Sequence, residues 1–397
     1  MIVIIVACIW QFACGGLPFL SASEGGQTDS SSEQAQTTDQ PSSSDASSSS
    51  SSSSADSSSS TTDTKGTYQE GLNTQIKISA VGDCTLGTDI DFDDDTNFTS
   101  VYNEKGDSYF FKNVTEFTSS DNLTLANLEG PLTSSSDIQE KSYNFKGPAK
   151  YANILVKGSV EAVNLANNHS YDYGTTGYED TKETLAKYKV TSFGYDRIAT
   201  TTINGVKVGL FGVNQVTSTD TARSQMKADI STLKDAGCAI IIGMFHWGIE
   251  GEYTPDTDQV SLAHGAIDRG CDLVIGSHPH VLQGVERYKN RYICYSMGNF
   301  VFGGNDNPDD MDTMIFQQTF NIVNGQLSID DTTTGSAAIV PCSMSSSSSS
   351  NNFQPTPLTG SKASTLLTKV NKYSSKLSGE GVKFSTSVDD SGTARVD

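Results

Sequence analysis

Two stretches of this chain follow one local plan. Leu233 to Gly243 reads as a helix end, a stop at Gly237 and the apolar run Ala239-Ile240-Ile241-Ile242, after which comes Phe245-His246. Ala266 to Gly276 repeats it with Gly270, Leu273-Val274-Ile275 and then Ser277-His278. Glycine just past a helix is a common left-handed cap, and a short apolar run between turn signals is a buried strand. Strands that alternate with helices build a largely parallel sheet, and such sheets place their sites beyond the C-terminal ends of the strands. The residue at the end of each strand is therefore the one to inspect. The second unit ends in Gly276-Ser277-His278-Pro279-His280, with Pro279 fixing the backbone between two imidazoles. Imidazole suits zinc, iron, nickel and copper, so this elbow can be half of a metal site or a plain strand cap.

Other strand ends deliver similar chemistry. Gln75 to Val81 alternates apolar and polar residues and stops at Gly82-Asp83-Cys84. Asn122 to Leu128 ends at Glu129, and Gly130-Pro131 breaks it at once. Val160 to Ala166 ends in Asn167-Asn168-His169, with Asp172 three residues on. Val206 to Val213, Tyr292 to Phe300 and Thr313 to Val323 read as further strands, Thr181 to Tyr188 and Ser361 to Leu377 as helices, and Ser343 to Ser350 as a loop insertion. Asp89 to Asp95 lacks the glycine and glutamate of a calcium loop and reads as a solvated acidic loop. Asp83, Glu129, Asn168, His246, His278 and His280 then share one rim. Carboxylate, amide and imidazole ligands without thiolates suit Mn, Fe or Zn, and six of them suffice for one or two divalent ions of the kind that clamp a phosphoryl group.

Composition bounds the rest. From Ser21 to about Thr64 the chain is Ser, Thr, Asp, Gln and Gly, too polar to offset its ordering entropy, so it is expected to be a tether. Of the 397 residues, roughly 300 then remain for one large α/β domain. The expected organisation is a leader over 1–20, a Ser-rich disordered tether over 21–70, the domain over 71–380 and a tail over 381–397. A net charge of -21 argues against a nucleic-acid partner, which needs clustered Lys and Arg. The first twenty residues are apolar but short for a bilayer span and resemble a secretory leader. Ala7-Cys8 and Ala13-Cys14 each look like a lipoprotein cleavage site, so Cys8 or Cys14 is the candidate lipidation site, although no Lys or Arg precedes Lys65. The location expected is the outer face of a bacterial cytoplasmic membrane, held by a lipid anchor. Cys84, Cys238, Cys271, Cys294 and Cys342 are odd in number and widely spaced, which reads as small buried residues and not a disulfide framework.

The motifs occur in a recognisable order: Gly82-Asp83, Asn127-Leu128-Glu129, Asn167-Asn168-His169 with Asp172 and Gly174, His246-Trp247-Gly248 with Glu250, Gly276 to His280, and Tyr295 to Phe300. Over about Ile76 to Leu377 the chain resembles the CapA poly-γ-glutamate capsule-synthesis family, within the calcineurin-like metallophosphoesterase superfamily. The resemblance implies a layered α/β sandwich with mainly parallel central sheets flanked by helices. It implies metal ligands at Asp83, Glu129, Asn168, His246, His278 and His280, a general acid at His169 and an orienting Asp172. Thr85 stands where the pattern has a histidine, so one ion or two stays open. Trp247, Glu250 and Asn299 are candidates to line the cleft, and His264 is expected to be a packing residue. The implied partners are an anionic polymer or a phosphate-containing substrate, and a membrane-bound polymer synthase complex. The resemblance allows three functions: capsule or wall polymer synthesis and export, metal-dependent phosphoester hydrolysis, or non-catalytic surface binding.

Overall fold

A computed structural model describes residues 4–5, 70–92, 95–328 and 336–397. Cys8, Cys14 and the Ser-rich tether lie outside the described residues, as do 93–94 of the acidic loop.

The chain runs through β1 (Thr74–Thr85), β2 (Leu123–Leu128), β3 (Ala162–Asn164), helix α1 (Gly174–Lys187) and β4 (Thr191–Phe193). These four strands pair in parallel, in chain order. A second sheet begins with β5 (Ala199–Ile203) and β6 (Val206–Asn214), continues through α2 (Thr219–Asp235), β7 (Ile240–His246), α3 (Thr257–Ile267) and β8 (Leu273–Ser277), and closes with β9 (Val285–Tyr288) and β10 (Arg291–Cys294). Its centre, β6-β7-β8-β10, is parallel, and antiparallel β5 and β9 flank it. The chain then returns to the first sheet. The short strand β11 (Asn299–Phe302) pairs in parallel with the end of β1, β12 (Asp312–Val323) runs antiparallel along its beginning, and β13 (Ala337–Ser343) lies outside β12. Helix α4 (Gly360–Ser374) follows. The α/β class with mainly parallel sheets and flanking helices is thus present.

Side-chain alternation decides what the sheets bury. On β7, Ile240, Ile242 and Met244 join Ile76, Ile78, Leu125, Leu210 and Ile275 in one apolar core. Ile241 and Phe245 point the other way, onto Met226, Ile230 and Leu233 of α2 and Leu262 and Ala266 of α3. Tyr178 and Leu185 of α1 cover Val81, Leu128 and Val163 on the other sheet. Because β7 and β8 are apolar on both sides, periodicity cannot say which face looks where. Residues 381–397 also join the domain: Phe384 and Ala394 are buried, and Ala394–Arg395 pairs with β13. The cysteines of the described residues are all buried and form no disulfide with one another.

Asp89 departs from the solvated-loop expectation. It is buried, its Oδ1 accepting from the Asp91 amide at 2.9 Å and its Oδ2 from the Asn144 amide at 2.6 Å. Its carboxylate organises two loops instead of facing water.

One buried acid lies far from any strand end. Asp229 of α2 takes a hydrogen bond from Gln225 (2.8 Å) on Oδ1, while its Oδ2 has no hydrogen-bond partner among the described residues. Burial pushes its carboxyl up to about 7, and the Gln225 contact offsets this only in part. A carboxyl that binds its proton more tightly when folded contributes stability below its unfolded value, lost as pH rises toward 7. Asp229→Asn is therefore expected to match the wild type near pH 4 and to be more stable by roughly 2 to 4 kcal/mol at pH 8. Urea midpoints at the two pH values check this, and a stability difference that does not change with pH contradicts it.

Candidate metal-binding cleft

Two sheets aimed at one edge bring distant residues together. Within the first sheet, Asp83 of β1 is the register partner of Asn127 of β2. Asn127 Nδ2 donates to Asp83 Oδ1 (2.8 Å), and the His278 amide donates to Asp83 Oδ2 (3.1 Å). Getting Asp83 there requires glycine before it. A Cβ on Gly82 would sit 2.0 Å from the Gly298 carbonyl, the group that accepts the Asp83 amide at 3.0 Å. Burial raises the Asp83 carboxyl, and His280 beside it pulls it back.

Glu129 lies at the centre. It is fully buried, and neither carboxylate oxygen has a hydrogen-bond partner among the described residues. Oε1 instead faces three imidazole Nε2 atoms, of His246 at 3.8 Å, His169 at 3.9 Å and His280 at 4.0 Å. These separations are too long for hydrogen bonds. They leave space for a cation between the carboxylate and the rings, at the roughly 2.0 to 2.2 Å from a ligand atom that such ions take. Glu129, His278 and His280 each offer one ligand atom, and the three atoms lie within 4.8 Å of one another. Burial holds the Glu129 carboxyl well above its ordinary value, with the Asp83 charge adding to it. A buried carboxylate without a donor is expensive, and a divalent ion would remove that penalty. By chemistry and spacing the group fits a divalent cation.

Each ring that faces Glu129 is turned by its other nitrogen. His280 Nδ1 is 2.8 Å from Asn299 Oδ1, His169 Nδ1 is 2.7 Å from Asp172 Oδ2, and His246 Nδ1 is 3.0 Å from Ser277 Oγ. Such second partners fix the tautomer and orientation of a ligating imidazole. His246 Nε2 also meets Asn168 Oδ1 at 2.6 Å. His278 Nδ1 is buried without a partner. His278 and His280 both take positive φ, 96° and 56°, a strained setting for non-glycine residues that marks functional sites. Burial depresses the imidazoles: His246 well below its ordinary value, His278 down to about 3 and His169 also downward. Neutral imidazole is the ligating form.

The His169–Asp172 pair has a third member. Lys141 Nζ is 2.7 Å from Asp172 Oδ1, 3.1 Å from His169 Nδ1 and 3.0 Å from the Asn168 carbonyl. The Phe145 amide donates to Asp172 Oδ2 at 2.7 Å. With Asp172 so held, its oxygen keeps the His169 Nδ1 proton and leaves Nε2 facing the cleft.

Of the residues expected from the sequence, Asp83, Glu129, Asn168, His169, Asp172, His246, His278 and His280 converge here. Glu250 and Asn299 line a cleft of about 650 Å³ beside them. Trp247 does not line it: its ring is buried between Phe245 (4.7 Å) and Tyr295 (6.0 Å), and its Nε1 donates to the Tyr295 carbonyl. Alternation explains this, since the residue after an inward His246 points outward. His264 packs flat on Tyr288 (3.8 Å) and pairs with Glu286 (2.8 Å), away from the cleft. Thr85 is buried with an unpartnered Oγ1 and offers no imidazole. Sequence reasoning missed Lys141, which sits in a loop without periodicity. It also missed the polar clamp in which Asn164 and Asn167 both donate to Asn127 Oδ1 (3.0 and 3.2 Å). Asn127, two residues before Glu129 on the same strand face, was a legible signal.

These residues fall inside a family match. The model of "Bacterial capsule synthesis protein PGA_cap" matches residues 77–304, more than half of the chain. The "Capsule biosynthesis protein CapA" of Bacillus anthracis is 29% identical over 259 residues, covering 58% of this chain and 60% of that protein. The "PGA biosynthesis protein CapA" of Bacillus subtilis is 28% identical over 248 residues, covering 57% and 63%. The chain thus spans about three-fifths of the length of these relatives. Among solved structures, a hypothetical protein from Thermus thermophilus aligns with TM-score 0.42 and 14% identity over 67% of this chain and 98% of that one. A 5'-nucleotidase from Candida albicans aligns with TM-score 0.35 and 14% identity over 65% and 54%. With every candidate ligand inside the matched span, this chain belongs to the bacterial capsule synthesis protein PGA_cap family.

Proposed function

We propose that this protein serves capsule or cell-wall polymer synthesis or export at the bacterial surface, in the manner named for its CapA relatives, through a metal-binding cleft of metallophosphoesterase type. The observation that supports the cleft is Glu129: a fully buried carboxylate without hydrogen bonds, facing three imidazole nitrogens at 3.8 to 4.0 Å. Glu129, His246, His278 and His280, with Asp83 and Asn168, would hold one or two divalent ions, Mn, Fe or Zn by ligand type. When bound, such an ion supplies Lewis-acid polarisation of a phosphoryl oxygen and a nucleophile at neutral pH.

The chain's own residues suit phosphoester hydrolysis. In that reaction the oxygen of water forms the new bond to phosphorus, the bond from phosphorus to the ester oxygen breaks, and that oxygen needs a proton. In its imidazolium form His169 can deliver it from Nε2 while its Nδ1 proton stays against Asp172, itself held by Lys141, and the proton that the attacking water gives up restores the imidazolium. The competing reading, non-catalytic binding at the surface, uses the same site without turnover. Lipidation at Cys8 or Cys14 would tether the domain to the membrane beside a polymer synthase complex. Among the described residues no helix is long and apolar enough to cross a membrane.

Metal content of the full-length protein is the first test. The wild type should carry at least one equivalent of divalent metal, and His278→Ala with His280→Ala should carry none; metal in neither protein, or equally in both, sinks the site. Glu129→Gln should also lose metal, yet its metal-free form should melt no lower than the metal-free wild type, because the group it replaces is a buried acid without a hydrogen-bond partner among the described residues. On an aryl phosphate, His169→Ala should lower kcat by about 10²- to 10⁴-fold with metal content unchanged. Absence of wild-type turnover with metal bound would favour the binding reading. Cys8→Ala combined with Cys14→Ala should release the protein from membranes, and continued membrane association would rule out lipidation.

A further inference from the structure

The cleft leads away from the imidazoles along a wall of aromatic rings. Phe145 lies 4.4 Å from the His169 ring and Phe302 lies 5.0 Å from the His280 ring. From Phe145 the wall continues to Tyr143 at 6.4 Å, nearly parallel at 14°, and to Phe92 at 6.4 Å. Tyr143 is 56% exposed. Phe92 is tilted by 64° to Tyr143 and by 58° to Phe145, and Phe145 and Phe302 are buried, so Tyr143 is the ring this group opens most to the cleft.

Beside Asn299, Asn305 and Tyr253, the same lining carries the carboxylates of Glu250, Asp306, Asp309 and Asp310, the last already accepting from the Tyr253 hydroxyl, with no Lys or Arg among the lining residues described. A like charge about 8 Å from one of these carboxylates is opposed by about 2 kcal/mol at an effective dielectric of 20, before salt screening. One anionic group can be offset by a cation at Glu129. A second, third and fourth along the same ligand cannot. A polyanion is therefore a poor occupant of this cleft, whatever the polymer made nearby.

The lining suits a ligand with one anionic head and an uncharged, hydroxyl-rich ring. Carboxylates accept hydrogen bonds from hydroxyls, and aromatic faces cover the apolar face of a ring. A bare aryl ring would use the wall but leave the carboxylates without donors. We propose that the cleft binds a sugar phosphate, its phosphate toward a cation held at Glu129 and His280 and its sugar ring against Tyr143. This rests on the phosphate-binding reading of the site.

Calorimetric titration of the Mn²⁺-loaded full-length protein with four probes tests it: inorganic phosphate, glucose 1-phosphate, phosphocholine and a short γ-glutamate oligomer. Glucose 1-phosphate should bind at least about tenfold more tightly than inorganic phosphate, and Tyr143→Ala should cut that preference to under about threefold. Tyr143 is exposed enough for the variant to keep its fold. Glu250→Gln with Asp309→Asn should strengthen binding of the oligomer. Equal binding of glucose 1-phosphate and phosphate overturns the sugar subsite, as does tighter binding of phosphocholine or of the oligomer. If inorganic phosphate itself fails to bind, the phosphate reading of the cleft falls first and the sugar proposal falls with it.

Discussion

The structure around the cleft depends on an unsatisfied carboxylate. Glu129 sits at 0% exposure with two acceptor oxygens and no donor among the described residues, an arrangement that a fold under selection for stability alone would remove. Replacing it by an amide or an apolar residue would be the easy route to a more stable chain. Instead the fold holds three imidazoles around it, each with its distal nitrogen occupied by Asn299, Asp172 or Ser277. The cost recurs in the backbone, where His278 and His280 both occupy positive φ. Strain and desolvation at one point, each supported by neighbours, indicate a site organised around a charge that the protein itself does not supply.

Two sheets were needed to build that point. β1 and β2 contribute carboxylates, the segment after β3 contributes an amide and an imidazole, and β7 and β8 contribute imidazoles from the opposing sheet. The core between the sheets, from Ile76 and Ile78 to Ile242 and Ile275, fixes their separation. Gly82 fixes their depth, since its missing side chain lets β1 pass against Gly298. A side chain there would push Asp83 out of reach of the His278 amide. The apolar core thus serves the polar rim.

Most of this was legible because a parallel strand reports its function at its own end. Asp83, Glu129, His246 and His278 each stand where an apolar run stops, so the runs alone pick them out. The reading failed where the signal is not periodic. Lys141 and Tyr143 lie in an irregular segment, and nothing about their spacing announces that one grips Asp172 and the other opens the aromatic wall. Trp247 was misplaced for the opposite reason. Next to a functional histidine on a strand, it points by alternation into the outer core, where Phe245 and Tyr295 bracket it.

Charge draws the sharpest distinction between the family's polymer and this cleft. With a net charge of -21 and four carboxylates at the mouth, the protein repels a polyglutamate chain at long range and again at contact. The positive charge that would be needed to bind such a chain is not among the described residues that line the cleft: Lys141, beside His169, is committed to Asp172 and the Asn168 carbonyl. A protein of capsule synthesis built this way would act on something smaller than the capsule polymer, presented one anionic group at a time. Its aromatic rings and carboxylates would then select the remainder of that molecule by shape and hydroxyl donors, leaving a cation held at Glu129 to address the phosphate alone.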